Sequence, residues 1–342
     1  MPATGSQTLD VSGLSVEFRT AERVVRAVRD VSFTLARGET IAIVGESGSG
    51  KSVTALSIMR LIEHGGGHIV SGRIDFARDT GAMLDLASAD AATMREIRGA
   101  EIAMIFQEPM TSLNPVYTAG EQIAEQIQAH ENVSKQAARA RAIELLAAVG
   151  IPQPNHRVDN YPHEFSGGMR QRVMIAMAVS CHPDILIADE PTTALDVTIQ
   201  AQILDLMREL RDTLGTAIIL ITHDMGVVAE NADRVVVMYA GQIVEVRSSA
   251  LLHGDPLHPY TAALAAARPD IDQTSRRLLA IPGRPLSAFE APPGECAFAP
   301  RCPHVADECR DGVPDIVDLD GGRSRCVRAR ELRGRLGVAP DG

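Results

Sequence analysis

The sequence predicts an α/β protein with a mostly parallel sheet core, an antiparallel β-region and a helical insertion. Three observations carry that prediction. An apolar β-type run, Thr40 to Val44, leads into Gly45-Glu46-Ser47-Gly48-Ser49-Gly50-Lys51-Ser52 and then a helical pattern from Val53 to Leu61. Strand, glycine loop and helix in that order make a phosphate-binding loop. From Ser166 to Val246, helical patterns alternate with apolar strand runs, as in a parallel sheet covered by helices. Between about residues 112 and 182 the pattern is helical.

In chain order, Leu9–Phe18 and Val24–Leu35 alternate and are rich in β-formers, so they read as an antiparallel pair. Ile69–Phe76 and Ala82–Leu86 continue in that style. Ser88–Ile97 reads as a short helix with Ser88 as its cap. Glu101–Phe106 is a buried strand that ends on Gln107. Helices follow over Gly120–His130 and Ser134–Val149, the second with apolar positions at Ala138, Ala142, Leu145, Leu146 and Val149. A helix over Ser166–Ser180 precedes the strand Asp184–Asp189. Helix Val197–Leu214, strand Thr216–Ile221 and two short strands, Arg234–Met238 and Gln242–Val246, close the first domain at about residue 250. A helix over Thr261–Ala267 and a proline-rich linker (Pro282, Pro285, Pro292, Pro293) open a C-terminal extension, 251–342.

The 342 residues suffice for two domains, or one with appendages, and 45% hydrophobic residues supply a core. Aromatic residues are 3% of the chain and tryptophan is absent. A formal charge of −11 argues against a broad nucleic-acid surface. No run of 18 apolar residues occurs, so no membrane-spanning helix is expected. Met1 to Gln7 is neither basic nor followed at once by an apolar stretch, unlike a secretory leader. A cytosolic, reducing setting is therefore expected, where cysteines serve as metal ligands or core residues more often than as disulfides.

The glycines of the loop let successive N–H groups point at phosphate oxygens, and the following helix adds unpaired donors. Lys51, one of two lysines in the chain, would reach the outer phosphates, and the Ser52 hydroxyl would bind Mg²⁺. The apolar run Ile185–Ala188 ends on Asp189 and Glu190. Asp189 would hold Mg²⁺, and Glu190, facing the other way, would polarise the attacking water. Ser166, with Gly167 and Gly168, reads as a helix cap whose amides can approach an anion.

With these motifs in order, residues 8 to 250 resemble the ATP-binding subunits of ABC transporters. The resemblance implies a P-loop NTPase fold of ABC type, with Glu46 to Ser52 as the Walker A motif and Gln107 as the Q-loop glutamine, which senses Mg²⁺. It implies that Ser166 to Gln171, with Gly167 and Gly168, form the signature motif. Asp189 and Glu190 match Walker B, Ala194-Leu195-Asp196 the D-loop, and His223 the switch histidine. Two such subunits would then sandwich ATP, each nucleotide lying between one P-loop and the other subunit's signature helix. The family stacks an aromatic residue on adenine upstream of the P-loop; Phe18 is the candidate, and a core role for it is the alternative.

Phe106 to Pro115, His258-Pro259-Tyr260-Thr261 and a cysteine-rich tail are similar to the oligopeptide/dipeptide importer branch. That likeness implies peptide import, with nickel as the alternative cargo. It also implies a [4Fe-4S] cluster on Cys296, Cys302, Cys309 and Cys326, spaced C-x₅-C-x₆-C-x₁₆-C. From the residues alone, zinc or free or disulfide-bonded thiols stay open. Cys181, among apolar helical residues, reads as core.

The expected function is an ATPase subunit, peripheral on the cytoplasmic face of the cell membrane. Its partners would be a second ATP-binding subunit, two permease subunits and, indirectly, a peptide-binding protein. Two other classes compete. Soluble ABC ATPases of translation or DNA repair carry paired cassettes or coiled-coil inserts, and neither is present here. Exporter ATPase domains are often fused to membrane spans.

Overall fold

The computed structural model describes residues 7–19, 24–78, 81–107, 112–193, 195–252, 254–267, 281–292 and 294–336. The chain begins with β1 (Gln7–Arg19), β2 (Val24–Ala36), β3 (Thr40–Val44), α1 (Lys51–Ile58), β4 (Gly67–Ala77), β5 (Met83–Asp85), α2 (Ala91–Ile97) and β6 (Ile102–Ile105). Helices α3 (Ala119–His130), α4 (Lys135–Ala148), α5 (Pro154–Arg157) and α6 (Gly167–Ala178) follow. Then come β7 (Ile185–Asp189), α7 (Val197–Leu214), β8 (Ala217–Thr222), α8 (Met225–Asn231), β9 (Arg234–Tyr239) and β10 (Gln242–Ser248). The C-terminal part holds α9 (Ser249–Leu252), α10 (Pro259–Ala266), β11 (Val317–Leu319), β12 (Gly322–Ser324) and α11 (Ala329–Leu332).

Two sheets result. The antiparallel sheet has the order β2-β1-β4-β5, and the larger one the order β11-β12-β10-β9-β3-β8-β7-β6. β3 lies inside the larger sheet, parallel to β8 on one side and β9 on the other. Every residue of β3, β7 and β8 is buried. That explains their uninterrupted apolar sequence, since parallel strands are covered on both faces. One core joins the two sheets through Ile41, Ile43, Ile58, Phe33, Phe76 and Ile219.

The helical block α3–α6 is inserted between β6 and β7, which are parallel neighbours in the sheet. Ile123, Ile127, Ala142, Leu146, Val173 and Ile175 belong to a second core, shared with β6, β7, β8 and α7. Thr118 and Glu121 make a reciprocal capping box at α3. Ser134 caps α4, its Oγ accepting from the Ala137 N–H at 3.2 Å. The cap at Ser134 is the expected one, while the capping box at Thr118 was not foreseen.

Three local expectations change. Helix α2 is capped by Asp90, not Ser88: the Thr93 N–H donates to Asp90 Oδ1 at 2.7 Å. Ser88 instead donates to Asp85 Oδ2 at 3.0 Å, closing the preceding turn. Helix α10 begins at Pro259, two residues before the expected Thr261. Its cap is His258, whose Nδ1 accepts from the Tyr260 N–H at 3.0 Å, and proline fits the first helical position. Finally, β10 does not end the sheet: β12 pairs with it antiparallel, Glu245 opposite Ser324, and β11 pairs with β12. Among the described residues, no helix is long and apolar enough to cross a membrane.

Candidate functional site

The P-loop leaves the C-terminal end of β3, in the crevice where α/β sheets bind ligands. Gly45 sits at φ 152°, and a Cβ there would stand 2.2 Å from the Met238 carbonyl oxygen of β9, so only glycine passes. Lys51 is 6% exposed. Its ammonium donates back to the Gly45 and Glu46 carbonyls at 2.7 and 3.2 Å, spanning the loop. Burial lowers the Lys51 pKa, opposed by the carboxylates of Glu190, Asp189 and Glu46.

Walker B meets this loop as expected. Ser52 Oγ donates to Asp189 Oδ1 at 3.1 Å, which brings the two Mg²⁺ candidates together across 137 residues. Burial raises the Asp189 pKa, and the hydrogen bond from Ser52 opposes that.

Glu190 is the centre of the polar cluster. Its Oε2 accepts from Gln107 Nε2 at 3.2 Å and from Thr193 Oγ1 at 2.9 Å. Its Oε1 lies 3.3 Å from His223 Nδ1. Its backbone is left-handed, φ 47°, a conformation that costs a non-glycine residue on the order of 1 kcal/mol. Gln107, the Asp189–Glu190 pair and His223, three separate sequence signals, thus become one constellation beside the P-loop. Thr193 was not foreseen; its hydroxyl three residues past Glu190 was the available signal.

The signature residues lie elsewhere. Ser166 caps α6, accepting from the Met169 N–H at 3.4 Å. A Cβ on Gly168 would stand 2.8 Å from Ile199 Cγ2, and one on Gly167 3.8 Å from Leu195 Cδ2. The start of α6 therefore borders the start of α7, where exposed Asp196 caps the helix by accepting from Ile199 N–H at 3.0 Å. Ala194 and residues 108–111 fall outside the described residues. Gln171 corrects the sequence assignment: it is 1% exposed and faces the core of α6, so it cannot meet a ligand at the helix start.

Phe18 lies near the end of β1. It pairs with Gly67 in the antiparallel sheet, and a Cβ on Gly67 would stand 3.1 Å from Phe18 Cε1. The ring is half-buried and packs against the core cluster.

The C-terminal extension reaches the P-loop directly, which no local sequence signal announced. The Glu46 N–H donates to Tyr260 Oη at 2.9 Å. Arg301 grips the Glu46 carboxylate with two bonds, 2.6 and 3.1 Å, from a side chain that is 3% exposed. Tyr239, Tyr260 and Phe298 pack behind this contact, ring centroids 4.6 to 5.4 Å apart. The Ala288 N–H donates to the Gly48 carbonyl at 3.2 Å.

Cys296, Cys302, Cys309 and Cys326 line one cavity of about 10 Å³, room for a single water. Burial pushes the thiols of Cys302 and Cys326 up to about 11 and about 12, and raises that of Cys296. Among the described residues, no three His, Cys, Asp or Glu side chains converge on one point as a single ion requires. The single-zinc alternative therefore does not fit this arrangement. Cys181 stands apart, its Sγ 3.8 Å from the Gln126 carbonyl.

Comparison with known proteins accords with this site. Residues 28–193 match the family described as ABC transporter, and residues 244–309 the one described as oligopeptide/dipeptide transporter, C-terminal region. The oligopeptide transport ATP-binding protein AppD of Bacillus subtilis is 51% identical over 327 residues, covering 95% of this chain and 98% of its own. Among solved structures, the dimeric ATP-binding cassette MJ0796 in a post-hydrolysis state with ADP and Pi superposes with a TM-score of 0.62. It is 26% identical and covers 70% of this chain and 98% of its own. cbiO1 from Clostridium perfringens, part of the ABC transporter complex cbiONQ, gives 0.59 at 28% identity over 71% of this chain and 89% of its own. The chain is an ATPase of the ABC type and belongs to the family of ATP-binding subunits of oligopeptide/dipeptide ABC transporters.

Proposed function

We propose that this chain hydrolyses ATP–Mg at an interface shared with a second ATP-binding subunit and so drives the import of di- or oligopeptides. The observation that carries it is the gathering of Gln107, Thr193 and His223 around Glu190, next to the Ser52–Asp189 pair. Glu190 then acts as base toward the attacking water, and Ser52, Asp189 and Gln107 serve the metal ion. Ser166, Gly167 and Gly168 sit with the α7 start, outside the hydrogen bonds around Glu190, and in this reading serve the nucleotide held by the partner's P-loop. Closure on ATP and reopening after hydrolysis would be passed to two permease subunits. The chain itself is peripheral on the cytoplasmic face of the cell membrane, consistent with its lack of a spanning helix among the described residues.

Within this reading, residues 1–250 are the nucleotide-binding domain, with a helical subdomain at about 112–182, and 251–342 the extension. Cys309 and Cys326 are buried and Cys296 and Cys302 half-buried around one cavity, and four cysteine thiols are the donor chemistry of a [4Fe-4S] cluster. The present room is that of one water, so the cluster would enter as the tail folds, coupling loading to folding. Cys302→Ser would then loosen the tail while the P-loop still binds ATP. Iron and acid-labile sulfide in the anaerobically purified protein test the cluster; finding neither removes it.

The import reading is tested by ATP hydrolysis in liposomes holding the chain with its native permeases and a substrate-binding protein. Stimulation by loaded short or long peptides supports the assignment and sets the size class. Hydrolysis that ignores peptides but answers to nickel keeps the importer and discards the peptide.

A further inference from the structure

The phosphate-binding loop carries no net charge of its own. Between Gly45 and Ser52 the charged residues are Glu46 and Lys51, which cancel. Asp189 and Glu190 stand beside it, and their carboxylates act on the Lys51 ammonium. ATP brings several negative charges to this place, so an unpaired acid in the loop would oppose its binding.

Glu46 is not unpaired. Arg301 holds its carboxylate with two bonds, Nη1 to Oε2 at 2.6 Å and Nη2 to Oε1 at 3.1 Å. Such a bidentate pair of charge-assisted bonds is among the strongest open to a carboxylate. The backbone of Glu46 is engaged as well. Its N–H donates to Tyr260 Oη at 2.9 Å, and its carbonyl accepts from Lys51 Nζ at 3.2 Å. One residue of the loop thus joins the loop lysine to the C-terminal extension.

Arg301 is itself held from several sides. Its side chain is 3% exposed. Its Nε donates to the Pro282 carbonyl at 2.8 Å, and its Nη1 to Tyr239 Oη at 3.4 Å. Its Cζ lies 5.9 Å from the ring centroids of both Tyr239 and Phe298. A guanidinium stays protonated in proteins, so the extension delivers a fixed positive charge to a loop 255 residues upstream.

We propose that Arg301 is a positioning residue of the ATP site: by holding and neutralising the Glu46 carboxylate, it leaves the loop and Lys51 able to receive the phosphates of the nucleotide. The proposal rests on the reading of the P-loop as an ATP site. With Arg301 in place, Glu46, Lys51 and Arg301 together carry one net positive charge (−1 + 1 + 1); without it they carry none. A buried charge is screened less than one at the surface, so the phosphates feel its loss. Arg301 acts through Glu46, and the extension thereby sets the affinity of a loop that it does not belong to.

The test measures binding of ATP and of inorganic triphosphate, both with Mg²⁺, to the full chain by calorimetry, with a urea midpoint for each variant. Arg301→Gln is expected to weaken both ligands about tenfold, since the effect reaches the phosphates and not the base. Arg301→Lys keeps the charge but not the fork, so it is expected to lose stability yet bind both ligands more tightly than Arg301→Gln. Glu46→Gln/Arg301→Gln removes both charges and is expected to recover most of the lost affinity. A lowered urea midpoint in Arg301→Gln, with ATP affinity within about twofold of wild type, overturns the proposal, since the contact then only seats the extension. A double variant as weak as Arg301→Gln also overturns it, because packing and not charge was lost. Glu46→Gln alone leaves the Arg301 charge uncompensated and is expected to bind triphosphate about threefold to tenfold more tightly. Triphosphate binding no tighter than wild type in that variant overturns the proposal even where Arg301→Gln fails to fold. A wild-type chain that binds neither ligand defeats the ATP-site reading itself.

Discussion

Around β3, the interior is built from Ile41, Ile43, Ile187, Ile219 and Ile221, all at 0% exposure. After residue 281 the apolar interior thins to Phe298, a few alanines and a small group of Cys326, Ala329 and Leu332. Guanidinium groups take over there. Arg301 donates to the Pro282 carbonyl at 2.8 Å, Arg325 to the Ile243 and Pro314 carbonyls at 3.0 Å each, and Arg328 to the His304 carbonyl at 2.7 Å. The difference has a physical reason. A sheet satisfies its own backbone and needs only apolar cover, whereas irregular chain leaves carbonyls that a side chain must satisfy. Arginine, with five donors in a planar fork, closes several at once. One region therefore tolerates apolar swaps of similar volume, and the other depends on individual polar groups.

Four substitutions probe this contrast. The largest expected effect is chemical: Glu190→Gln should bind ATP but lower its hydrolysis by about 10² to 10⁴-fold, the usual worth of a general base. Steady-state phosphate release measures it, and turnover at the wild-type rate would remove Glu190 from that role. Next comes the polar link between the two regions. Arg301→Ala leaves the Glu46 carboxylate unpartnered beside the P-loop and should cost about 3 kcal/mol of stability in urea, with weaker ATP binding. A change below 1 kcal/mol would mean that the aromatic cluster alone seats the extension.

Acidity gives a third handle. Glu245 is fully buried on β10, accepts from the Leu257 and His258 N–H groups at 2.9 Å, and burial pushes its carboxyl up to about 7. Its folded pKa lies above the ordinary glutamate value of 4.5, so the folded chain holds the proton more tightly. The stabilisation is full below pH 4.5 and is lost as pH rises through about 7. Denaturation midpoints across that window should fall by the equivalent of about 3 kcal/mol in wild type. They should run flatter in Glu245→Gln. The smallest effect is a cap: Asp196→Ala removes the acceptor of the Ile199 N–H and should cost about 1 kcal/mol.

What the sequence made legible follows the range of the interactions. The P-loop, the Asp189–Glu190 strand end and the cap at Ser134 depend on neighbours a few residues away, and local pattern reveals them. Gln107 and His223 were placed through their resemblance to a motif series, and their meeting at Glu190 matches it. Tyr260 and Arg301 contact Glu46 from 214 and 255 residues away, and no periodicity records such a meeting. Gln171 misled because helical phase turns it, five residues past Ser166, to the buried side.

The pairing of β12 with β10 bears on how the chain is made. β10 ends at Ser248 and β12 begins at Gly322, 74 positions later (322 − 248). At ribosomal speeds of about 5–20 residues per second, that is roughly 4 to 15 s during which β10 exists without its outer neighbour. Until then the rim of the central sheet offers a row of open backbone groups to any passing strand. Synthesis is thus a period of exposure that ends only when Gly322–Ser324 has been added. A premature stop late in the message would prolong that exposure indefinitely, making a truncated product prone to aggregation even though every motif of the ATP site had already been translated.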